Sequence, residues 1–196
     1  MNLGIRKLTI ALVIAVSLPH VAIAENRAEF SSAHLAEAER LVYALGVAES
    51  MSIPTNRFLQ KVRDNEPEKG ELMTAVMSPF IEKKYIGLGL REFMASQFDM
   101  ESCRLLSEHW EGPVGRKFVG TQIQLLSTGK APEITFTPTE EAIGKSFEKT
   151  AAFQDFMRAQ PAIQQKIGAF AKEIKEKMAQ RMRDELARRS ETATRN

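Results

Sequence analysis

Residues 108–120 read EHWEGPVGRKFVG, and the fold turns on how this stretch is taken. It holds the chain's single tryptophan, Trp110, with one of three histidines, three glycines and a proline. Crowded aromatic, basic and glycine residues suit a catalytic or phosphate-binding loop as well as a corner between helices. The glycine spacing is not that of a dinucleotide loop, and no Gly-Lys-Ser or Gly-Lys-Thr follows as in a P-loop. Gly112-Pro113 instead puts a glycine just past one helix end and a proline just inside the next start. Upstream, Asp99 is placed to cap MESCRLLSEHWEG, with Leu106 and Trp110 one turn apart. Downstream, Phe118, Ile123, Leu125 and Leu126 continue as helix to Gly129. The stretch reads as a corner.

Helical spacing extends from it in both directions. Towards the N-terminus, Ser32 is expected to cap a helix whose Leu35, Ala38, Leu41, Val42 and Leu45 recur at three and four residues before Gly46 ends it. A looser segment with Pro54 follows, carrying Phe58, Leu59 and Val62 on one side, and residues 64–71 read as a polar connection. Ser78-Pro79 predicts the start of a central helix to about Ser96, with an apolar surface of Phe80, Ile81, Tyr85, Leu88, Phe93 and Met94. Gly87 and Gly89 in it offer room for a neighbour to approach closely. Towards the C-terminus, Thr137-Pro138-Thr139-Glu140 is a capping box opening a helix with Ile143 and Phe147 on one face, and the apolar pattern of Phe153, Phe156 and Met157 carries on to Gln160. Pro161 is expected to begin a long last helix. Its apolar residues Ile163, Ile167, Phe170, Ile174, Met178, Met182 and Leu186 are spaced above 3.6 on average, so the stripe rotates slowly around the axis. Residues 98–110 and 136–147 both run from a phenylalanine through a cap and an acidic first turn to an aromatic, a faint sign of duplication that two ordinary capped helices would share.

The fold class predicted is all-α: a single multi-helix domain of antiparallel helical hairpins over residues 25–188, with a long C-terminal helix and a disordered tail at 189–196. Ahead of it, Arg6 and Lys7, the apolar run LTIALVIAVSL at 8–18 and the small-x-small site Ala22-Ile23-Ala24 read as a cleavable secretory signal over residues 1–24. The apolar run is shorter than the ~20 residues a membrane span needs. The mature chain is therefore expected to start at Glu25, in the periplasm, with no integral membrane segment. Without the signal the charge falls from 27 basic against 25 acidic residues to an even balance. That argues against nucleic acid as a partner, because phosphate binding needs clustered Lys and Arg.

An aliphatic helix ending near a glycine (AERLVYALGVAESM, 38–51) and the run KKYIGLGLREFMASQFDMESCRLLSEHWEGPVGRKF (83–118) together resemble the bacterial exported family known as domain of unknown function 2059. The matching features are Leu41–Gly46, Phe98–Glu101, Trp110, Pro113, Gly115 and Lys117, within a family-like core of about 35–125. Where the family often has a tyrosine in the turn, this chain has Trp110-Glu111-Gly112. The resemblance implies an all-helical domain and carries no catalytic residues across, because the family has no established activity.

Candidate chemistry is sparse. Cys103 sits in an amphipathic stretch as a small hydrophobe, and His109, six residues on, lies on another face of the helix. His34 and Glu37 share a face but supply two ligands at most. No catalytic, cofactor-binding or metal-binding residues are assigned, and no cofactor is expected. The function expected is a non-enzymatic periplasmic protein binding an unknown protein, peptide or apolar ligand of the cell envelope. The alternatives are a chaperone-like or structural factor acting through the last helix, and an enzyme of unrecognised type. The candidate interaction residues are Trp110, which belongs either to a buried corner or to an exposed anchor, and Met178, Met182 and Leu186 on the last helix.

Overall fold

The computed structural model describes residues 30–195, so the signal sequence read at 1–24 lies outside the described residues. In order, the helices are α1 (Ser32–Ala44), α2 (Val47–Asn65), α3 (Pro67–Ile81), α4 (Lys83–Gln97), α5 (Met100–Glu111), α6 (Pro113–Thr128), α7 (Pro138–Phe147) and α8 (Ala151–Arg195). No strand occurs among the described residues, and the all-α class holds. No described helix is long and apolar enough to cross a membrane.

Local chemistry explains most of the boundaries. Asp99 accepts a hydrogen bond from the Ser102 N–H at 2.6 Å and starts α5. Thr137 and Glu140 form the reciprocal capping box at the start of α7. Gly46 ends the first turn region at φ 66, a left-handed conformation that glycine adopts without a Cβ penalty. Ser31, not Ser32, caps α1, its hydroxyl accepting from the His34 N–H at 3.2 Å. The polar connection expected at 64–71 shrinks to the single residue Glu66, after which Pro67 opens α3.

Two prolines behave differently from their local signals. The helix expected to start at Pro79 does not: α3 runs through Pro79 to Ile81, and the break falls at Glu82, whose backbone is extended. Near the end of a helix a proline removes a single hydrogen bond, which burial of the neighbouring residues offsets. Likewise Pro161 starts nothing. The segment expected to continue to Gln160 breaks instead at 148–150, where the Thr150 hydroxyl accepts from the Phe153 N–H, and α8 then passes unbroken through Pro161. Over 45 residues α8 spans about 67 Å at 1.5 Å per residue. It also passes through the residues read as a disordered tail.

The core assembles where α1 and α4 pack together, so the later part of the segment 79–96 is central as expected. Ala38, Leu41, Val42 and Ala44 of α1 are buried against α4 and α5, and α8 lies across α3, α4 and α5. On α4 the buried residues are Ile86, Gly87, Leu90, Met94 and Ala95, whereas Leu88, expected on the apolar surface, is 40% exposed. The glycines set this face. A Cβ on Gly87 would sit 2.3 Å from the Tyr43 hydroxyl, and one on Gly89 would sit 2.2 Å from Phe170, so both rings enter where side chains are missing.

The opening stretch is a corner, as its residues predicted. Gly115 lets α6 leave tightly, since a Cβ there would lie 2.3 Å from Trp110 Cα and 2.5 Å from Trp110 O, both backbone atoms. Gly115→Ala is expected to cost about 1–3 kcal/mol through overpacking. Gly120→Ala, in the same helix with nothing within 4 Å of its Cβ, should stabilise by about 0.5–1 kcal/mol. Urea titrations of the two variants check the pair, and a shift of the same sign in both would refute the corner geometry.

Candidate functional site

Among the described residues, two concave places have aromatic or charged linings that bear on function. The first lies under α7, where His109, Phe118, Phe136, Glu140, Phe147 and Phe153 enclose about 30 Å³. That is room for a single water rather than a ligand. α7 has no fully buried residue of its own and is fastened from outside. The His109 ring stacks on Phe147 at 3.6 Å and 6°, and Lys117 pairs with Glu140 at 2.7 Å while also donating to the Thr135 carbonyl. Burial pushes the His109 imidazole down to about 4, although Glu140, Glu141 and Glu148 line the same cavity.

That direction has a consequence for stability. A base whose pKa is lowered by folding contributes fully above its ordinary value of 6.5, and the contribution fades as the pH falls from there towards about 4. The carboxyls of Glu111 and Glu140 are held low by Arg40 and Lys117, so they weaken the fold only from about 4.5 downwards. The melting temperature should therefore begin to fall below about 6.5, and His109→Phe should flatten the slope between 6.5 and 4.5. Thermal melts at stepped pH measure this, and parallel slopes would remove His109 from the account.

The second place is an open cleft of about 620 Å³ between α3 and the C-terminal half of α8. Its floor is apolar: Leu72, Ala75, Val76 and Phe80 of α3. Its wall is charged, with Lys177, Arg181, Arg188 and Arg189 against Asp184 and Glu185. The rotating stripe of α8 produces this pairing. Each four-residue step advances about 40° beyond a full turn, so from Ile174 to Leu186 the stripe swings by about 120°. Phe170, Ile174 and Met178 face the core and are buried. By Arg181, Asp184 and Arg188 the side of α8 that faces α3 has become polar. The floor of α3 is apolar there, with Val76 buried, Leu72 and Phe80 half-buried and Ala75 exposed, and it borders this polar side of α8 across an open cleft.

Most of the wall's charges are already committed. Glu185 accepts from Arg188 at 2.7 Å and from Arg189 at 3.0 Å, and these bonds draw its carboxyl down to about 2. Lys177 pairs with Glu173 at 2.6 Å and reaches the Tyr85 hydroxyl at 3.3 Å. Asp184 accepts from the Gln180 amide at 2.7 Å. Arg181 is exposed and has no hydrogen-bond or ion-pair partner among the described residues.

The residues singled out from sequence do not form one site. Trp110, 7% exposed, is buried beside Phe118 and Phe156, with ring centroids 6.4 and 5.8 Å away. Met178, named as a candidate interaction residue, is 4% exposed and belongs to the same core. Met182 is half-buried, and Leu186, 51% exposed, lies about 140° around α8 from Arg181, away from the cleft. Cys103 is fully buried, and burial pushes its thiol up to about 12, which suits the inert hydrophobe expected. His34 bonds the Phe98 carbonyl through Nε2 at 2.8 Å, tying α1 to the start of α5. Of the cleft-lining residues of α3, only Phe80 was marked in the sequence, as part of an apolar surface; Leu72, Ala75 and Val76 were not, although the four-residue spacing on α8 already carried the signal. No family model matches the chain, and no curated protein or solved structure matches it either.

Proposed function

We propose that the protein is an exported, non-enzymatic binding protein of the cell envelope, matured at Glu25 and belonging with the family of domain of unknown function 2059. We take the cleft between α3 and α8 as its ligand site. The observation that carries the reading is the apolar floor of Leu72, Ala75, Val76 and Phe80 facing a polar stretch of α8, an open cleft of about 620 Å³. Binding sites commonly have about this volume, with mostly apolar lining and a few polar groups that set orientation. An even charge balance after signal removal fits a partner other than nucleic acid.

A neutral solvatochromic dye, Nile red, tests the site directly. The folded protein is expected to brighten the dye, and Ala75→Trp, which fills the cleft from an exposed position, should reduce binding at least about tenfold. Equal dye binding by the two proteins, with matching melting temperatures, would overturn the reading. A second reading, a chaperone-like or structural factor acting through α8, is favoured by Leu186 standing 51% exposed on the far side of that helix.

A further inference from the structure

We infer that the cleft takes a single-chain anionic amphiphile of the fatty-acid class, its acyl chain along Leu72, Val76 and Phe80 and its carboxylate on Arg181. The inference rests on the cleft being the ligand site and adds the chemistry of the occupant. Leu72, Val76 and Phe80 recur every four residues, so they form one lane about 12 Å long on α3. An extended hydrocarbon chain offers such a lane apolar surface without bringing polar groups that need partners. The lane lies beside a wall with four cations and two carboxylates.

Of the wall's cations only Arg181 has no bonded partner among the described residues; Asp184, bonded to the neutral Gln180 amide, keeps its negative charge, and four cations against two carboxylates leave the wall net positive. Arg188 and Arg189 share Glu185, and Lys177 is held by Glu173. Arg181 keeps its whole guanidinium fork, which matches a carboxylate in two parallel hydrogen bonds. One unbonded cation in a net positive wall, beside one apolar lane, suits one anionic head on one chain. An acidic amphipathic helix would present several carboxylates at three- or four-residue spacing, with a single partner waiting. A neutral lipid would occupy the lane and leave Arg181 unmatched.

The test is competition against Nile red by palmitate and by hexadecanol, which have the same chain length and differ in charge, on wild type, Arg181→Gln and Ala75→Trp. Palmitate is expected to displace the dye at about tenfold lower concentration than the alcohol, the effect of a charge-assisted hydrogen bond. Arg181→Gln should erase that preference while leaving hexadecanol unchanged, and Arg181→Lys should restore part of it. Equal competition on wild type, or a preference that survives Arg181→Gln, overturns the anionic assignment and leaves the cleft as an apolar site. Displacement by neither compound also overturns it. Displacement that persists undiminished in Ala75→Trp sinks the cleft reading together with the inference.

Discussion

Ending the chain after Ile167 is expected to unfold the protein, whereas ending it after Ala187 should leave the melting temperature almost unchanged. The first cut removes Phe170, Ile174 and Met178, each buried in the main core. Burying a side chain of this size is worth about 1.5–3 kcal/mol, so the loss is on the order of 5–9 kcal/mol, against a typical total of 5–15. Phe170 adds a specific defect, because its ring fills the space over Gly89 and stacks with Tyr85 at 6.2 Å. Of the described side chains, the second cut removes the exposed residues 188–191 and with them the pairs from Glu185 to Arg188 and Arg189, which solvent screens. Thermal melts followed by circular dichroism compare the two, and equal melting temperatures would show that α8 does not hold the core closed.

Trp110→Ala is the second large effect. The indole is buried at the α5–α6 corner and packs on Phe118 from α6 and on Phe156 from α8, so truncation opens a cavity where three helices meet. The usual cost is about 3–5 kcal/mol. The indole N–H finds no partner in its buried position. Trp110→Phe keeps most of the packing and removes that donor, so it should cost less than about 1.5 kcal/mol. The single tryptophan should emit to the blue when folded and move to the red with unfolding. An unshifted melting curve for Trp110→Ala, with water-like emission from the native protein, would refute the buried corner.

The helical class, the Gly112-Pro113 corner and the Thr137–Glu140 capping box were legible residue by residue. Each depends on contacts within about four positions: a side chain on a nearby N–H, a glycine where one helix ends, a proline without a donor where the next begins. So was the rotation of the α8 stripe, which follows from spacing alone. Ser78-Pro79 and Pro161 gave equally strong local signals and misled, because burial further along outweighed one lost hydrogen bond in each helix. The faces that meet were decided only in three dimensions. Tyr43 and Phe170 enter over Gly87 and Gly89 from helices far away in the chain, and that approach selects Ile86 and Leu90 for the core and leaves Leu88 outside. The cleft arises the same way. The spacing showed that α8 turns its apolar stripe away, but it took the packing of α3 beside it to set Leu72, Val76 and Phe80 opposite Arg181, since apolar burial is non-directional and local patterning does not specify its partner.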